Sequence, residues 1–386
     1  MKLSLHASRL SLAPIPKGTP KVAGRLSPVT RHSSLQTGIA LIIVMISITV
    51  LSILAAGFAY SMRVETKLAR NANNEAELEW IGRSGVEYAR WVLAMSLLDP
   101  TKPYDSLDQP WATGSGPLGP TNNPAAEVHN PIHLGNGSFT WKITDLERKF
   151  NINTANEVLL QQALILMGVD AGELTQIVNS ILDWIDPDDN TRVQGAESDF
   201  YQNLDPPYVA KNGPIDDLSE LLLVKGIRDN PEVYWGSSWT NHQPGAFQSR
   251  QNYHGPAIER PAFTSGLVDL FAPLSKGKIN INTASADVLQ LIPGVDSRVA
   301  EAIVGARAGE DDGTGLTGPY RSVDQVRRVP EVSPMIAGQL QPFCDVRSYT
   351  FQVEIDAQIG DYKRQFVAIL GRNNSKDVQV LSFYWE

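Results

Sequence analysis

One stretch near the N-terminus constrains the fold more than any other part of the chain. Residues 38–62 read GIALIIVMISITVLSILAAGFAYSM, which is 25 residues without a charged side chain. An α-helix of that length, at ~1.5 Å per residue, extends about 37 Å and can cross a bilayer. Residues 1–38 carry six basic groups and no acidic group, and this flank predicts a cytoplasmic N-terminus and an exported remainder. We therefore expect one membrane span, over 39–62, in a single-pass protein.

The helix is predicted to continue beyond the membrane. Between Arg63 and Leu98 there is no proline, and apolar residues recur at three- and four-residue steps, which is the period of a one-sided helix. Asp99-Pro100 ends the pattern, because proline disfavours helix in the residue before it. The sequence thus predicts one helix over 39–98, apolar all round in its first part and one-sided in its second.

Alternating apolar and polar residues occur once before the middle of the chain and three times after it. Turn residues separate the later segments, and all four segments are predicted strands: 138–146, 350–359, 363–370 and 378–385. Their pairing gives one antiparallel sheet packed on the one-sided part of the helix. We expect an α+β fold in which core segments 99–148 and 348–386 flank an inserted helical domain at 149–347.

The inserted domain contains an internal repeat. Residues 151–155 and 280–284 both read NINTA, at an offset of 129, and a Gly-Val-Asp triplet follows each copy. This self-similarity predicts two related helical units, over about 150–230 and 277–347. Asn153-Thr154 and Asn282-Thr283 are expected to cap the first helix of each unit, and the glycine of the triplet is expected to make the turn into the next helix.

The repeat resembles the helix-hairpin-helix domain of DNA-uptake and repair proteins. In that domain a second glycine lets backbone N–H groups hold a phosphate, but Asp170 and Asp296 stand at that position here. Residues 150–230 carry fourteen acidic and only four basic groups, the reverse of what phosphate binding needs. We therefore expect no nucleic-acid partner. A protein-interaction module and helices that merely pack into a core remain open alternatives.

A segment that follows the first repeat motif is rich in carboxylates. Six acidic residues lie between Asp183 and Asp199, in a stretch that reads as a helix end, a loop and a second turn. Hard oxygen ligands of this kind suit calcium, and no Cys or His is nearby, which disfavours zinc or copper. The residues alone leave two alternatives open, a solvated acidic loop and a cation site.

Enzymatic chemistry finds little support in the sequence. The chain has one cysteine, Cys344, six isolated histidines and no G-x-S-x-G motif, so no nucleophile–base pair can be nominated. The formal net charge is −9, which also disfavours nucleic acid as the main partner. We expect a non-enzymatic protein.

The N-terminal region resembles a type IV pilin-like precursor. The resemblance implies that a prepilin peptidase cleaves between Gly38 and Ile39, which removes residues 1–38 as a leader and leaves 27 basic against 42 acidic groups. Most members of that family carry Glu at the fifth mature position, where this chain has Ile43. That departure is typical of the K-class minor pseudopilins of type II secretion.

The K-class resemblance implies a pilin-like fold and a place at the tip of the pseudopilus. It implies the inner membrane as anchor, a periplasmic C-terminal domain, minor pseudopilins of the I and J classes as partners, and a role in protein export. It also implies bound calcium through a W-x-D-x-D…G-A-E…Y segment, for which the best ligands are Asp186, Asp188 and Glu197, followed by Asn190 and Asp199. Asp183 is expected only to cap the preceding helix. The alternative function is a membrane-anchored helix-hairpin-helix DNA receptor.

Overall fold

The computed structural model describes residues 36–114, 131–236, 265–309 and 318–385. The chain divides into two compact units, Met1–Ala69 and Arg70–Glu386. Residues 1–35, which make up most of the predicted leader, lie outside the described residues, as does most of the long segment between the two repeats.

A single helix, α1, runs from Gln36 to Ser96. The part from Ile39 onward includes an 18-residue window of mean hydropathy 2.9 with none of its residues buried, so the helix is long and apolar enough to cross a membrane. From Leu78 onward the helix buries one face, which includes Ile81, Val86 and Leu93. This change from an exposed apolar cylinder to a one-sided helix matches the change in the sequence pattern.

The second unit contains a five-stranded antiparallel sheet in the order β1-β2-β7-β8-β9. Its strands are β1 (Ile132–Leu134), β2 (Gly137–Asp145), β7 (Thr350–Ile359), β8 (Tyr362–Asn374) and β9 (Asp377–Trp385). The buried face of α1 and the facing side chains of the sheet form one hydrophobic core. This arrangement confirms the predicted α+β fold, with the additional short strand β1.

The helix lies close to the sheet because glycines face it. A Cβ atom placed on Gly82 would lie 2.5 Å from the ring of Phe366, and one on Gly85 would lie 2.7 Å from Ile355. Neither distance is compatible with an ordinary carbon–carbon contact. The glycines therefore set the separation between α1 and the sheet.

Replacing Gly82 by alanine is expected to reduce the free energy of unfolding by about 1–3 kcal/mol, since Phe366 must move in a packed core. Chemical denaturation of the full chain in detergent measures the change. Gly305→Ala is the matched control, because that helical glycine has no heavy atom within 4 Å of its missing Cβ, so alanine there should be neutral or stabilising by about 0.5–1 kcal/mol. Equal effects of the two changes would contradict the close-packing explanation.

The inserted domain consists of short helices and two pairs of short parallel strands. The helices are α2 (Pro110–Thr113, which precedes the insertion), α3 (Glu157–Met167), α4 (Ala171–Ile185), α5 (Ser198–Tyr201), α6 (Glu232–Trp235), α7 (Leu267–Leu270), α8 (Ala286–Leu289), α9 (Ser297–Arg307) and α10 (Pro334–Phe343). The strands are β3 (Phe150–Asn151), β4 (Phe271–Ala272), β5 (Ile279–Asn280) and β6 (Cys344–Asp345). Its described residues also include 3₁₀ segments at Ile152–Thr154, Leu218–Leu223 and Val323–Arg328.

The two sequence repeats adopt equivalent structures. Each begins with a two-residue strand that pairs in parallel with a strand C-terminal to it, β3 with β4 and β5 with β6. Each then forms a helical hairpin whose turn is a glycine, Gly168 or Gly294, with φ +83 in both. That left-handed conformation favours glycine, as the sequence predicted.

The predicted helix caps were wrong. The N-caps of α3 and α8 are Asn156 and Ser285, whose side chains accept the N–H of the third helical residue at 2.9 and 3.3 Å. Asn153-Thr154 and Asn282-Thr283 lie before these caps. The helices begin two or three residues later than expected because a 3₁₀ turn or an irregular turn precedes each of them.

Asn153 and Asn282 instead bind the backbone of a segment farther along each repeat, at Ile215 and Tyr320. Asn153 donates to the carbonyl of Ile215 at 2.9 Å and accepts its N–H at 2.7 Å. Asn282 makes the same two bonds with Tyr320, again at 2.9 and 2.7 Å. The asparagine that the two repeats share therefore joins the start of each repeat to a segment far along the chain.

Buried polar side chains join the inserted domain to the sheet. Asp145, at the end of β2, is buried and accepts hydrogen bonds from Thr283 Oγ1 at 2.5 Å and Ser348 Oγ at 2.6 Å. Glu147 is also buried and accepts two backbone N–H groups, at residues 349–350, at 2.9 and 2.8 Å. These two carboxylates connect the second repeat, β2 and the start of β7.

The pKa of Asp145 implies that stability depends on pH. Burial first, and then the neighbouring Glu147, raise that pKa to about 7. The ordinary pKa of an aspartate is about 4. A carboxyl group whose pKa is higher than this in the folded chain contributes stability that is fully present below about pH 4. This contribution is lost as the pH rises through about 7.

Replacing Asp145 by asparagine is expected to remove part of the fall in unfolding free energy between about pH 4 and pH 7, on the order of 2 kcal/mol. Denaturation at a series of pH values measures it. Asp361→Asn, at an exposed residue of the β7–β8 turn, should leave the pH profile unchanged. A wild-type profile in the Asp145 variant would contradict the assignment.

Candidate metal centre

Helix α4 brings the first two carboxylates of the site together. Its buried face contains Ile177, Ile181 and Trp184, and Asp183 lies on that same face with no exposed surface. Asp186 is the C-cap of the helix, three residues further on. One turn of helix therefore places both carboxylates on one side, where the loop of residues 186–197 folds over them.

The third carboxylate comes from that loop. Glu197 precedes α5 and is 2% exposed. One carboxylate oxygen from each of Asp183, Asp186 and Glu197 can be chosen so that all three lie within 4.8 Å of one another. These three residues form what we call the carboxylate group.

Several oxygens of the carboxylate group have no hydrogen-bond partner among the described residues. They are both oxygens of Glu197 and Oδ1 of Asp186. Buried polar atoms are normally paired, and an unpaired buried carboxylate oxygen is costly. A hard divalent cation with oxygen ligands, such as calcium, would satisfy all three atoms.

Electrostatics support the same conclusion. Burial first, and then repulsion from Asp183, Asp186 and the nearby loop carboxylates, raise the pKa of Glu197 to about 7. The buried site therefore disfavours three negative charges at once. Either a proton or a cation must reduce the charge.

The surrounding loop is shaped to leave room for these oxygens. A Cβ atom on Gly195 would lie 2.0 Å from Asp183 Oδ2, so glycine is required at that point. Trp184 packs edge-on against Tyr201 with ring centroids 5.2 Å apart, which fixes α5 against α4. Lys225 holds the loop from its other side by donating to the carbonyls of Gln194 and Gly195 at 3.1 and 3.0 Å.

The structure brings together only part of the set predicted from the sequence. Asp186 and Glu197 belong to the carboxylate group, while Asp188, Asn190 and Asp199 are exposed and lie outside it. Asp188 accepts the backbone N–H of Asn190 at 2.8 Å, which orders the loop.

Asp183 belongs to the carboxylate group although it was not among the ligands predicted from the sequence. It was expected to cap a helix, but α4 continues past it to Ile185. The signal available in the sequence was its spacing: it stands three residues before Asp186 and in phase with the apolar residues of α4.

In each helical hairpin an aspartate caps the helix that follows the glycine turn. Asp170 caps α4 by accepting the N–H of Gly172 at 2.7 Å, and Asp296 caps α9 by accepting the N–H of Val299 at 2.8 Å. One backbone N–H group at each of these helix N-termini, where a phosphate would bind, thus already binds a carboxylate of the chain itself.

The comparisons with known proteins find the same similarity by family model and by sequence. Residues 142–234 match the family model described as type II secretion system protein K. The Pseudomonas aeruginosa protein of that name is 25% identical over 352 residues, which covers 90% of this chain and 92% of the relative. The chain is similar to type II secretion system protein K over most of its length.

Other matches agree with the similarity to protein K. An Escherichia coli (strain K12) relative with the same protein K designation is 28% identical over 212 residues, which span 50% of this chain and 59% of that protein. Residues 274–345 match a model of the helix-hairpin-helix motif, in agreement with the second repeat. The relatives are named for secretion, and nothing in them favours the alternative of a DNA receptor.

A solved structure shows the same fold. It is the crystal structure of the GspK-GspI-GspJ complex from the enterotoxigenic Escherichia coli type 2 secretion system, with a TM-score of 0.58 and 19% identity. The match covers 82% of this chain and 99% of the solved chain. At that identity the match shows that the two chains share a fold.

Proposed function

We propose that this chain is a non-enzymatic minor pseudopilin at the tip of the type II secretion pseudopilus, needed for protein export across the outer membrane. The observation that carries the proposal is the alignment with Pseudomonas aeruginosa protein K over 90% of the chain. A long apolar helix followed by an antiparallel sheet is the architecture expected of a subunit whose helix packs in a filament.

The proposed partners are minor pseudopilins of the I and J classes. The structural relative was solved as a complex of GspK, GspI and GspJ. In this chain the apolar side chains of α1 between Ile39 and Leu68 are exposed, and helices of this kind associate in membranes through close packing. Ile43 offers no carboxylate to a free amine of a neighbouring subunit, which suits a position with no subunit above it.

The anchor and its processing complete the proposal. The basic leader orients α1 with its N-terminus in the cytoplasm, the inner membrane holds the span, and the second unit faces the periplasm. A prepilin peptidase cleaves between Gly38 and Ile39. Mass spectrometry of the protein from cells with active peptidase should find Ile39 as the first residue, and an intact leader would contradict this part.

Deletion of the gene tests the secretion role. We expect proteins exported by the system to accumulate in the periplasm of the deletion strain and the wild-type gene to restore export. A Gly38→Val gene is the control, because it supplies the same chain with the processing site altered. Normal export in the deletion strain would contradict the proposed function.

We also infer that the carboxylate group holds calcium. Asp183, Asp186 and Glu197 supply oxygen ligands, and the partnerless oxygens of the latter two are the observation that supports a cation there. The ion would neutralise charge and join α4 to the loop that leads into α5. Asp188, Asn190 and Asp199 remain candidates only if the exposed loop rearranges on binding.

A further inference from the structure

The carboxylate group already has a cationic neighbour within the chain. We propose that Arg192 is an internal counter-ion that holds Asp183 and Asp186 when no divalent cation is bound and competes with the cation for them. This inference rests on the proposed calcium site. It adds a residue that sets how tightly this particular chain binds the ion and how stable it is without it.

The contacts of Arg192 are restricted to one side of the group. Its Nη1 atom donates to Asp183 Oδ1 at 2.8 Å and also contacts Asp186 Oδ2. Its backbone N–H donates to Asp183 Oδ2 at 3.2 Å. Glu197 receives no hydrogen bond from Arg192, and its two oxygens stay without a partner among the described residues. The guanidinium therefore satisfies part of the group and leaves the rest open.

The charges of the group do not balance without a further cation. When a divalent ion is bound and all three carboxylates are ionised, Asp183, Asp186 and Glu197 contribute three negative charges and Arg192 contributes one positive charge. The remaining two charges equal those of one divalent ion. Because like charges at short range repel, a bound ion and the guanidinium oppose each other at the same carboxylates.

Arg192 can leave the group without unpacking the core. Its side chain is 39% exposed while that of Asp183 is fully buried, so the arginine reaches in from solvent. The loop keeps another anchor, since Lys225 holds the carbonyls of Gln194 and Gly195 independently of the carboxylates. A variant at Arg192 should therefore still fold around the site.

The experiment measures calcium affinity and thermal unfolding of the full chain in detergent, with the chelator EGTA or with added calcium. In Arg192→Gln, calcium affinity should rise by at least about tenfold, because a positive charge beside the bound ion is removed. The melting temperature in EGTA should fall, and saturating calcium should reduce the difference from wild type. Arg192→Lys keeps the charge, so its calcium affinity should stay within about threefold of the wild-type value.

Arg298→Gln is the matched control. Arg298 is an exposed residue of α9 in the second repeat, so the variant has the same change in net charge away from the carboxylate group and should match wild type in both measurements. If Arg192→Gln folds only with calcium, the calcium concentration at its folding midpoint gives the affinity.

Two results would distinguish a failure of the proposed Arg192 role from a failure of the proposed calcium site. An unchanged or weaker calcium affinity in Arg192→Gln, with clear binding by wild type, would overturn the role of Arg192. Absence of calcium binding by wild type would instead overturn the proposed calcium site.

Discussion

Replacing Arg372 by methionine is expected to destabilise the folded chain by about 3–5 kcal/mol, which is the cost of stranding a buried partner charge. The Arg372 side chain is 1% exposed and donates to Asp105 Oδ2 at 2.5 Å and to the carbonyl of Ser348 at 2.8 Å. It also donates to Ser96 Oγ at 2.8 Å and lies over the ring of Phe351 at 4.6 Å. One side chain thus connects α1, the following loop and two strands.

The size of the effect follows from Asp105. That carboxylate is fully buried, and its Oδ1 has no hydrogen-bond partner among the described residues. Without Arg372 it keeps the N–H of Ser348 at 3.0 Å and the more distant Arg347 at 3.8 Å. Adding Asp105→Asn to Arg372→Met should restore part of the lost stability, because the stranded charge is gone.

Chemical denaturation at neutral pH measures the Arg372 variant. Arg347→Met is the control, because that arginine lies farther from Asp105 and is 26% exposed, so its loss should cost less than about 1 kcal/mol. An unfolding free energy for Arg372→Met within about 1 kcal/mol of wild type would show that the buried pair does not stabilise the junction.

The second large effect is expected at Glu197. In Glu197→Gln the calcium affinity should fall at least about tenfold, because a charged ligand of a divalent ion is lost. At a calcium concentration of about 100 times the wild-type Kd, the wild-type chain should gain about 2.7 kcal/mol from binding, and a variant with tenfold weaker affinity should gain only about 1.4 kcal/mol. Without calcium the variant should match or exceed wild-type stability, because it lacks the buried carboxylate whose pKa is raised first by burial and then by repulsion from Asp183 and Asp186.

Calorimetry measures the calcium affinity, and thermal unfolding measures the stability with and without calcium. Asp188→Asn is the matched control: Asp188 is an exposed carboxylate of the same loop, outside the carboxylate group, so its effect on affinity should be small. Equal losses of calcium affinity in the two variants would support the ligand set expected from the sequence. No loss in Glu197→Gln would exclude Glu197 as a ligand.

Local patterns in the sequence predicted most of the fold. The bounds of β7 agree with its alternating pattern at 350–359, because each strand position faces either the core or solvent. Strand β1 was not predicted because its three residues, Ile132–Leu134, are too few to show alternation. The extended β8 likewise passes beyond its predicted end at Leu370 because Arg372 is polar yet buried through its pairing with Asp105.

Long-range contacts account for what the sequence did not show at the site. Asp183 could be distinguished from a helix cap only by knowing that Glu197, fourteen residues later, folds back over it. The roles of Asn153 and Asn282 depend on Ile215 and Tyr320, which lie 62 and 38 residues away. Residue type and spacing predicted a cation site near residues 186–199, whereas burial decided which carboxylates face one another.

The most direct test of the central claim is assembly with the proposed partners. The full chain would be co-expressed with the I- and J-class minor pseudopilins of the same bacterium and purified in detergent. Light scattering would then measure the molecular mass of the purified complex. We predict a stable complex that contains one copy of each chain. Elution of this chain by itself, while folded I and J chains are present, would contradict its place at the pseudopilus tip.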